Sequence, residues 1–224
     1  MEQLTAILIA DLSGYTALTE SHGASAAADL IDQYIAVVES SLVGDSALHQ
    51  IVGDEVLVVC ASPDHLLATA RRIMQSLIDK HLFLQIHGAL HFGQLLKRGD
   101  RYFGTAINLT SRIASKAAPG SILCSAEFME ALPAGGGIHF KSIGSHSFKN
   151  LQDEKELFEM VFEKADDVFI DPVCRMVITR PESAVKHPGL NDVFFCSAEC
   201  LSSYLKQQDL SATDSSMLKS EIGK

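Results

Sequence analysis

Short apolar runs alternate with amphipathic helical segments along the first part of the chain, and this alternation constrains the fold. Residues 4–10 form a continuous apolar run of strand length. Residues 24–43 carry apolar side chains three or four positions apart, as on one face of a helix. Two β-rich runs, residues 47–52 and 56–61, then predict a hairpin. The pattern favours an α+β fold, a ferredoxin-like βαββαβ sandwich.

The remaining predicted elements continue this alternation to the end of the first domain. They are a helix at 63–80, paired strands at 83–90 and 92–96, a helix at 105–117, a strand at 121–124, a short helix at 126–132 and strands at 138–143 and 157–162. The composition changes after this point, which predicts a first domain of residues 1–165.

Two aspartates occupy the ends of predicted strands. Asp11 directly follows the run at 4–10, and Asp54 lies at the tip of the predicted hairpin. Each alone is explained as an ordinary turn residue, because aspartate is common in turns. If the first strand lies beside the hairpin, however, the two carboxylates converge and can hold divalent cations through oxygen.

Asn108 and Arg112 lie four positions apart on the predicted helix 105–117. This spacing puts both on one helix face, away from the apolar face of Ala106, Leu109 and Ile113. A solvated polar stripe would give the same pattern. An amide and a guanidinium together also suit the binding of a charged phosphate compound.

Three motifs in this order, ADLSGYT (10–16), VGDE (52–55) and YFGTAINLTSR (102–112), resemble those of the class III nucleotidyl cyclase catalytic domain. The resemblance covers residues 1–162. It implies that ATP or GTP is converted to a 3′,5′-cyclic nucleotide and pyrophosphate. It also implies a homodimer, because the site in that family lies between two domains.

The resemblance further implies a role for each polar residue. Asp11 and Asp54 match the family's aspartates that hold two Mg²⁺ or Mn²⁺ ions. Asn108 would orient the ribose, and Arg112 would stabilise charge on the phosphate in the transition state. In the adenine-reading members a lysine and an aspartate occupy the positions of Gln50 and Arg101, so ATP, GTP or neither stay open as the nucleotide.

Three cysteines, Cys174, Cys196 and Cys200, lie in a short C-terminal segment. Residues 169–205 resemble a YHS or TRASH-type metal-binding module, with DPVC at its start and FCSAEC at its end. Three thiolates suit Zn²⁺, Cu⁺ or another thiophilic metal, with His187 or Asp171 as candidates for a fourth ligand. The alternative is three reduced thiols in a miniature core.

Residues 206–224 are rich in Ser, Lys, Asp and Gln and predict a disordered tail. The two other cysteines, Cys60 and Cys124, lie in apolar strand patterns and are expected in the core.

The charge and hydropathy of the chain exclude several classes of partner. A net charge of -10 argues against nucleic acid. The longest apolar runs fall far short of the roughly 20 residues of a membrane span, and no signal peptide pattern precedes Asp11. The expectation is a cytoplasmic protein with no membrane partner.

Two functions from different classes are therefore compared. The first is a homodimeric nucleotidyl cyclase, tuned by metal or redox state at the cysteine module. The second is a degenerate cyclase-fold scaffold that binds nucleotide or dimerises in the service of a metal-sensing module, for which Gln50 and Arg101 argue. A metal chaperone would use the cysteines alone and would leave the first domain without a role.

Overall fold

A computed structural model describes residues 2–78, 80–133, 138–149, 153–162 and 168–221, with the backbone alone at 209 and 211–221. The chain divides into two compact units. The first comprises residues 1–13, 29–78 and 85–165, and the second comprises residues 14–28, 79–84 and 166–224.

The first unit is built on one mixed sheet flanked by helices. Its strands are β1 (Glu2–Leu12), β2 (Ala47–Val52), β3 (Glu55–Cys60), β4 (Ile86–Arg98), β5 (Arg101–Phe103), β6 (Ile122–Ser125), β7 (Phe140–His146) and β8 (Lys155–Met160). Its helices are α1 (Tyr15–Ser41, shared with the second unit), α2 (Pro63–Ile78), α3 (Thr105–Ala114) and α4 (Ala126–Glu130). The strand order is β2-β3-β1-β4-β6-β8-β7, and β5 pairs with β4.

Strand β1 lies inside the sheet and pairs with a neighbour on each edge. It is antiparallel to β3 and to β4. Together with α1, β2 and α2 these strands complete the predicted ferredoxin-like βαββαβ arrangement. Residues 6–10 are at most 2 % exposed, as expected for a strand covered on both faces.

The helix α3 packs on this sheet through the apolar face that the sequence predicts. Ala106, Leu109 and Ile113 are buried against Ile9, Leu57 and other core residues. Cys60 and Cys124 are also buried, which confirms their expected place in the core.

Two elements differ from the sequence prediction. The predicted strand pair at 83–90 and 92–96 is one strand, β4, whose pairing with β1 is continuous from Glu2↔Leu96 to Leu12↔Ile86. Helix α1 begins at Tyr15 rather than near residue 24, with a kink at Gly23, where φ is 84°. A glycine in that backbone region breaks the helix locally without a steric penalty.

The second unit is small and contains short strands. It has β9 (Phe169–Ile170) paired with β10 (Val177–Ile178), β11 (Val185–Lys186) paired with β12 (Phe194–Phe195), and α5 (Ala198–Glu221). Its segment 79–84 is attached through the backbone, because Val177 donates to the Phe83 carbonyl and accepts from the Leu82 N–H. The predicted module 169–205 is therefore joined by two segments that are distant in the sequence.

The C-terminal residues differ from the expected disordered tail. Helix α5 continues through Glu221, and residues 222–224 lie outside the described part. Residues 206–221 contain neither glycine nor proline, so nothing local ends the helix.

The last segment of the first unit ends at Ala165, which lies within residues 163–167, and these are also not described. Within the described ranges, no helix combines the length and apolarity needed to cross a membrane.

We predict that Gly88→Ala destabilises the first unit. A Cβ at Gly88 would lie 2.5 Å from the Ile9 carbonyl oxygen of the neighbouring strand, and backbone cannot move aside easily. The expected loss is about 1–3 kcal/mol of unfolding free energy, and each kcal/mol lowers Tm by about 2–4 °C in a chain of this size. Thermal unfolding measures the effect. Gly189→Ala is the matched control, since its Cβ would meet nothing closer than 3.8 Å. Equal Tm values for the two variants would contradict the close approach of the β1 backbone to Gly88 of β4.

Candidate active site

The two predicted aspartates meet at one end of the sheet. Asp11 lies near the end of β1, and Asp54 lies in the turn between β2 and β3. Because Ala10 is opposite Val56 in the β1–β3 ladder, the turn is brought beside Asp11. The two carboxyl groups are in hydrogen-bonding contact. The predicted convergence of the two carboxyl groups is thus present in the structure.

The acidic groups at this place oppose one another's ionisation. Burial raises the pKa of Asp11 above its ordinary range. Burial and then the negative charge of Asp11 raise the pKa of Asp54 to about 6. Glu55, the next residue, also has a raised pKa, from burial and from the charge of Asp54. A divalent cation bound between such carboxylates would compensate their negative charge.

The loop after β1 is held by backbone and side-chain hydrogen bonds. The Leu12 N–H donates to Asp11 Oδ1 over 3.0 Å, which fixes that carboxylate. Ser13 N–H donates to the Gln85 carbonyl over 2.7 Å, and Ser13 Oγ lies 2.9 Å from His87 Nδ1. These hydrogen bonds hold the segment that carries Asp11 in place.

His87 is a site residue that the sequence analysis missed. It is opposite Asp11 in the β1–β4 ladder. Burial lowers the pKa of His87, while the charge of Asp54 acts in the opposite direction. Only the register of β4 against β1 reveals this neighbour, because nothing in the local sequence around His87 marks it.

Tyr34 is a second missed residue. It belongs to α1, and its side chain is fully buried. Among the described residues its hydroxyl has no hydrogen-bond partner. Burial, followed by the charges of Asp11, Asp54 and Glu55, raises its pKa far above the ordinary value. The phenol therefore stays neutral, and it lies close enough to the three carboxyl groups to interact with their charge.

Asn108 borders a cavity next to the acidic hairpin. The cavity measures about 220 Å³ and is lined by Ile9, Gln50, Val52, Glu55, Leu57, Ile107, Asn108 and Ser111. Helix α3 and the β2–β3 hairpin therefore contribute polar groups to one space. Its walls combine apolar strand residues with an amide from each side, Gln50 and Asn108.

Gln50 also lines a second cavity of about 450 Å³. The other lining residues are His49, Asp100, Arg101, Tyr102 and Phe103. The two predicted base-pocket positions, Gln50 and Arg101, are thus brought together. The ring of His49 meets Tyr102 edge-on, with centroids 4.9 Å apart, and supplies an aromatic wall.

Arg112 and Asn108 have different neighbours in the structure. Its guanidinium donates to the backbone carbonyl of Lys149. It is not among the residues that line either cavity. Within one chain, Asn108 and Arg112 therefore face different surroundings.

The three C-terminal cysteines form a cluster in the second unit. Cys196 Sγ lies 3.5 Å from Cys174 Sγ and 3.6 Å from Cys200 Sγ. Neither predicted candidate for the fourth ligand, Asp171 or His187, lies among the side chains that converge with the three sulfurs. Asp171 is buried and accepts the N–H groups of Val173, Cys174 and Cys196, and His187 Nδ1 accepts those of Gly189 and Leu190.

The sequence relatives of the chain include cyclases. An uncharacterized protein of Mycobacterium tuberculosis is 34% identical over 125 residues, which is 55% of this chain and 33% of that protein. An adenylate cyclase of Glutamicibacter nicotianae is 34% identical over 122 residues, 54% of this chain and 30% of that enzyme. The chain spans about a third of the length of these relatives. No family model matches the chain.

Solved cyclase structures share the fold of the chain. An adenylate cyclase from Trypanosoma brucei in its monomeric state superposes with a TM-score of 0.65 at 16% identity, covering 70% of this chain and 88% of that one. The guanylate cyclase domain of a Catenaria anguillulae protein in complex with GTP gives a TM-score of 0.57 at 17% identity, covering 73% and 100%. The mixed α+β fold is therefore that of adenylyl and guanylyl cyclase domains.

We predict that Asp54→Asn stabilises the metal-free protein at high pH. The pKa of Asp54 rises from 3.8 to about 6 on folding. The cost of ionising Asp54 in the folded state is therefore absent below about pH 4 and complete above about pH 6. The carboxyl group is partly exposed, so solvent screening leaves about 1 kcal/mol, or about 2–4 °C in Tm.

Thermal unfolding at about pH 8 and about pH 4, with a chelator of divalent cations present, checks this sign. Asp153→Asn, at an exposed position, is the control. A gain in Tm that is the same at both pH values, or absent at the higher one, would refute the raised pKa of Asp54.

Proposed function

We propose that the chain is a nucleotidyl cyclase that converts ATP or GTP to a 3′,5′-cyclic nucleotide and pyrophosphate in a homodimer. The observation that carries this proposal is the contact between Asp11 and Asp54 at the strand ends of a cyclase fold. The adenylate cyclase relative and the neighbour solved with GTP support it.

The donor set fits a hard divalent cation. Asp11 and Asp54 offer carboxylate oxygens, the ligands that Mg²⁺ and Mn²⁺ prefer. Burial raises the pKa of both carboxyl groups, so a cation that compensates their negative charge would favour the ionised forms. Two such ions, when bound, would assist deprotonation of the ribose 3′-hydroxyl and neutralise the triphosphate.

The residues of the chain then supply position and charge. Asn108, exposed on α3 beside the cavity, would hydrogen-bond the ribose and hold the 3′-hydroxyl in line with the α-phosphorus. Arg112 would stabilise the charge that grows on the α-phosphate oxygens as pyrophosphate leaves. Each role needs direct contact with the nucleotide.

A homodimer reconciles these roles with the single-chain geometry. Arg112 faces Lys149 and not the cavity that Asn108 and Glu55 share. Three apolar residues around the cavities are also strongly exposed: Ile51 at 43%, Val52 at 56% and Phe103 at 48%. A second copy that covered these residues would bury them and would bring its own α3 to the carboxylates.

We assign the reaction to the cytoplasm, where nucleoside triphosphates are abundant. The described cysteines are all reduced, which suits a reducing compartment. A net charge of -10 supports the absence of a nucleic-acid partner.

Turnover tests the proposal. Purified protein is incubated with ATP or GTP and with Mn²⁺ or Mg²⁺, and the cyclic product is identified by mass. Asp11→Ala and Asp54→Ala are expected to abolish turnover, and Asn108→Ala or Arg112→Ala should lower kcat by about 10²–10³-fold. Asp153→Ala is the control. Absence of cyclic product under every condition would favour the degenerate scaffold.

Mixing two inactive variants tests the shared site. If carboxylates and α3 come from different chains, Asp54→Ala mixed with an equal amount of Arg112→Ala forms heterodimers with one intact site. Random pairing would then restore about a quarter of wild-type activity. Activity no higher than that of the separate variants, despite measured subunit exchange, would place the whole site in one chain.

Gln50 and Arg101 are predicted to govern the choice of base, because both line the 450 Å³ cavity. The double change Gln50→Lys with Arg101→Asp installs the pair that adenine-reading cyclases carry. We expect the kcat/KM ratio for ATP over GTP to rise by about tenfold or more. An unchanged ratio in a folded, active variant would exclude these residues from base recognition.

A further inference from the structure

Four side chains of the second unit converge on one point. His22 Nε2 lies 3.3 Å from Cys196 Sγ and 3.5 Å from Cys200 Sγ. With Cys174 Sγ, the four atoms all lie within 4.8 Å of one another. His22 belongs to α1, more than 150 residues before the cysteines, and the sequence analysis did not consider it.

These separations match a tetrahedral zinc site. Zinc bonds of about 2.3 Å to sulfur and about 2.0–2.1 Å to nitrogen place tetrahedral ligands about 3.8 Å apart for two sulfurs and about 3.6 Å apart for sulfur and nitrogen. The observed distances are 3.5 and 3.6 Å between sulfurs, and 3.3 and 3.5 Å from nitrogen to sulfur.

The local backbone is arranged to hold the cysteines. Asp171, fully buried, accepts N–H groups from Val173 and Cys174 in one turn and from Cys196 at the end of β12. One carboxylate therefore fixes the two chain segments that carry Cys174 and Cys196. Cys200 follows four residues later in the first turn of α5, where Ser197 Oγ accepts its N–H.

A disulfide or a core of inert thiols accounts for less of the cluster than a metal does. A disulfide needs sulfurs about 2.05 Å apart and would leave one thiol and the imidazole unused. Three thiols packed as inert core residues do not require an imidazole nitrogen directed at two of them. A unit with such short strands also gains from a metal staple, because its apolar core is small.

We propose that His22, Cys174, Cys196 and Cys200 bind one Zn²⁺ in a closed tetrahedral site, with His22 as the fourth ligand. Each thiol that binds releases a proton to solvent. With four protein ligands no position stays open for a substrate, so the metal is structural. It would join the segment 14–28 to the C-terminal residues of the same unit. The proposal does not depend on cyclase activity.

Metal binding by the full chain tests the proposal. Zinc content is measured by elemental mass spectrometry, affinity by competition with a chromophoric chelator, and geometry by the absorption of the Co²⁺-substituted protein. The wild type is expected to bind one Zn²⁺ per chain and to give the intense d–d bands of tetrahedral Co²⁺. A wild-type chain that binds no metal, or that forms a disulfide under reducing conditions, would overturn it.

Substitutions identify the fourth ligand. His22→Ala should weaken Zn²⁺ binding more than the about 10–100-fold typical of losing a supporting residue around a metal. His22→Cys should keep one metal per chain and strengthen the sulfur-to-Co²⁺ charge-transfer band, which also shows that the unit folds. His139→Ala, exposed in the first unit, is the neutral control.

His187→Ala separates the two candidate histidines. His187 packs against Phe195 and Tyr204 through its ring and lies outside the cluster. We expect its removal to leave Zn²⁺ affinity within a few-fold of the wild type. Wild-type affinity in His22→Ala, or a loss in His187→Ala equal to that in His22→Ala, would exclude His22 as the ligand.

Discussion

The pairing of β1 with strands on both of its edges is the constraint on which the candidate active site depends. Because Ala10 is opposite Val56 and Asp11 is opposite His87, one register sets three positions at once. A slip of one residue would exchange the side chains of β1 between the two faces of the sheet and would move Asp11 away from Asp54. Pairing with β3 from Ala6 to Ala10 and with β4 from Glu2 to Leu12 holds that register.

The two units offer donor sets of opposite chemical character. Carboxylate oxygens from Asp11 and Asp54 favour hard cations such as Mg²⁺ and Mn²⁺, whereas three sulfurs with an imidazole favour Zn²⁺. Mg²⁺ and Mn²⁺ are therefore poor competitors for the sulfur-rich site. Each proposed site is also held by a supporting contact, the Leu12 N–H on Asp11 and the three N–H groups on Asp171.

The sequence predicted the parts of the fold that follow from local pattern. The hairpin around Asp54, the apolar face of α3 and the convergence of Asp11 with Asp54 are all present in the structure. His22, His87 and Tyr34 were not predicted, because only tertiary contacts bring them to their sites. The continuous strand β4 was also missed, since the sequence analysis divided it between residues 90 and 92. Gly93, inside β4, allows α3 to approach closely, with Ala106 Cβ 2.9 Å from an added Cβ.

We propose that the carboxylate pair binds the metal ions of a nucleoside triphosphate. The most direct measurement is calorimetric titration of Mn²⁺ with a 3′-deoxynucleoside triphosphate, which lacks the attacking hydroxyl and so cannot cyclise. We expect Mn²⁺-dependent binding of this nucleotide to the wild type and loss of the binding in Asp11→Asn. Equal affinity for both proteins, or binding that does not need the metal, would contradict it.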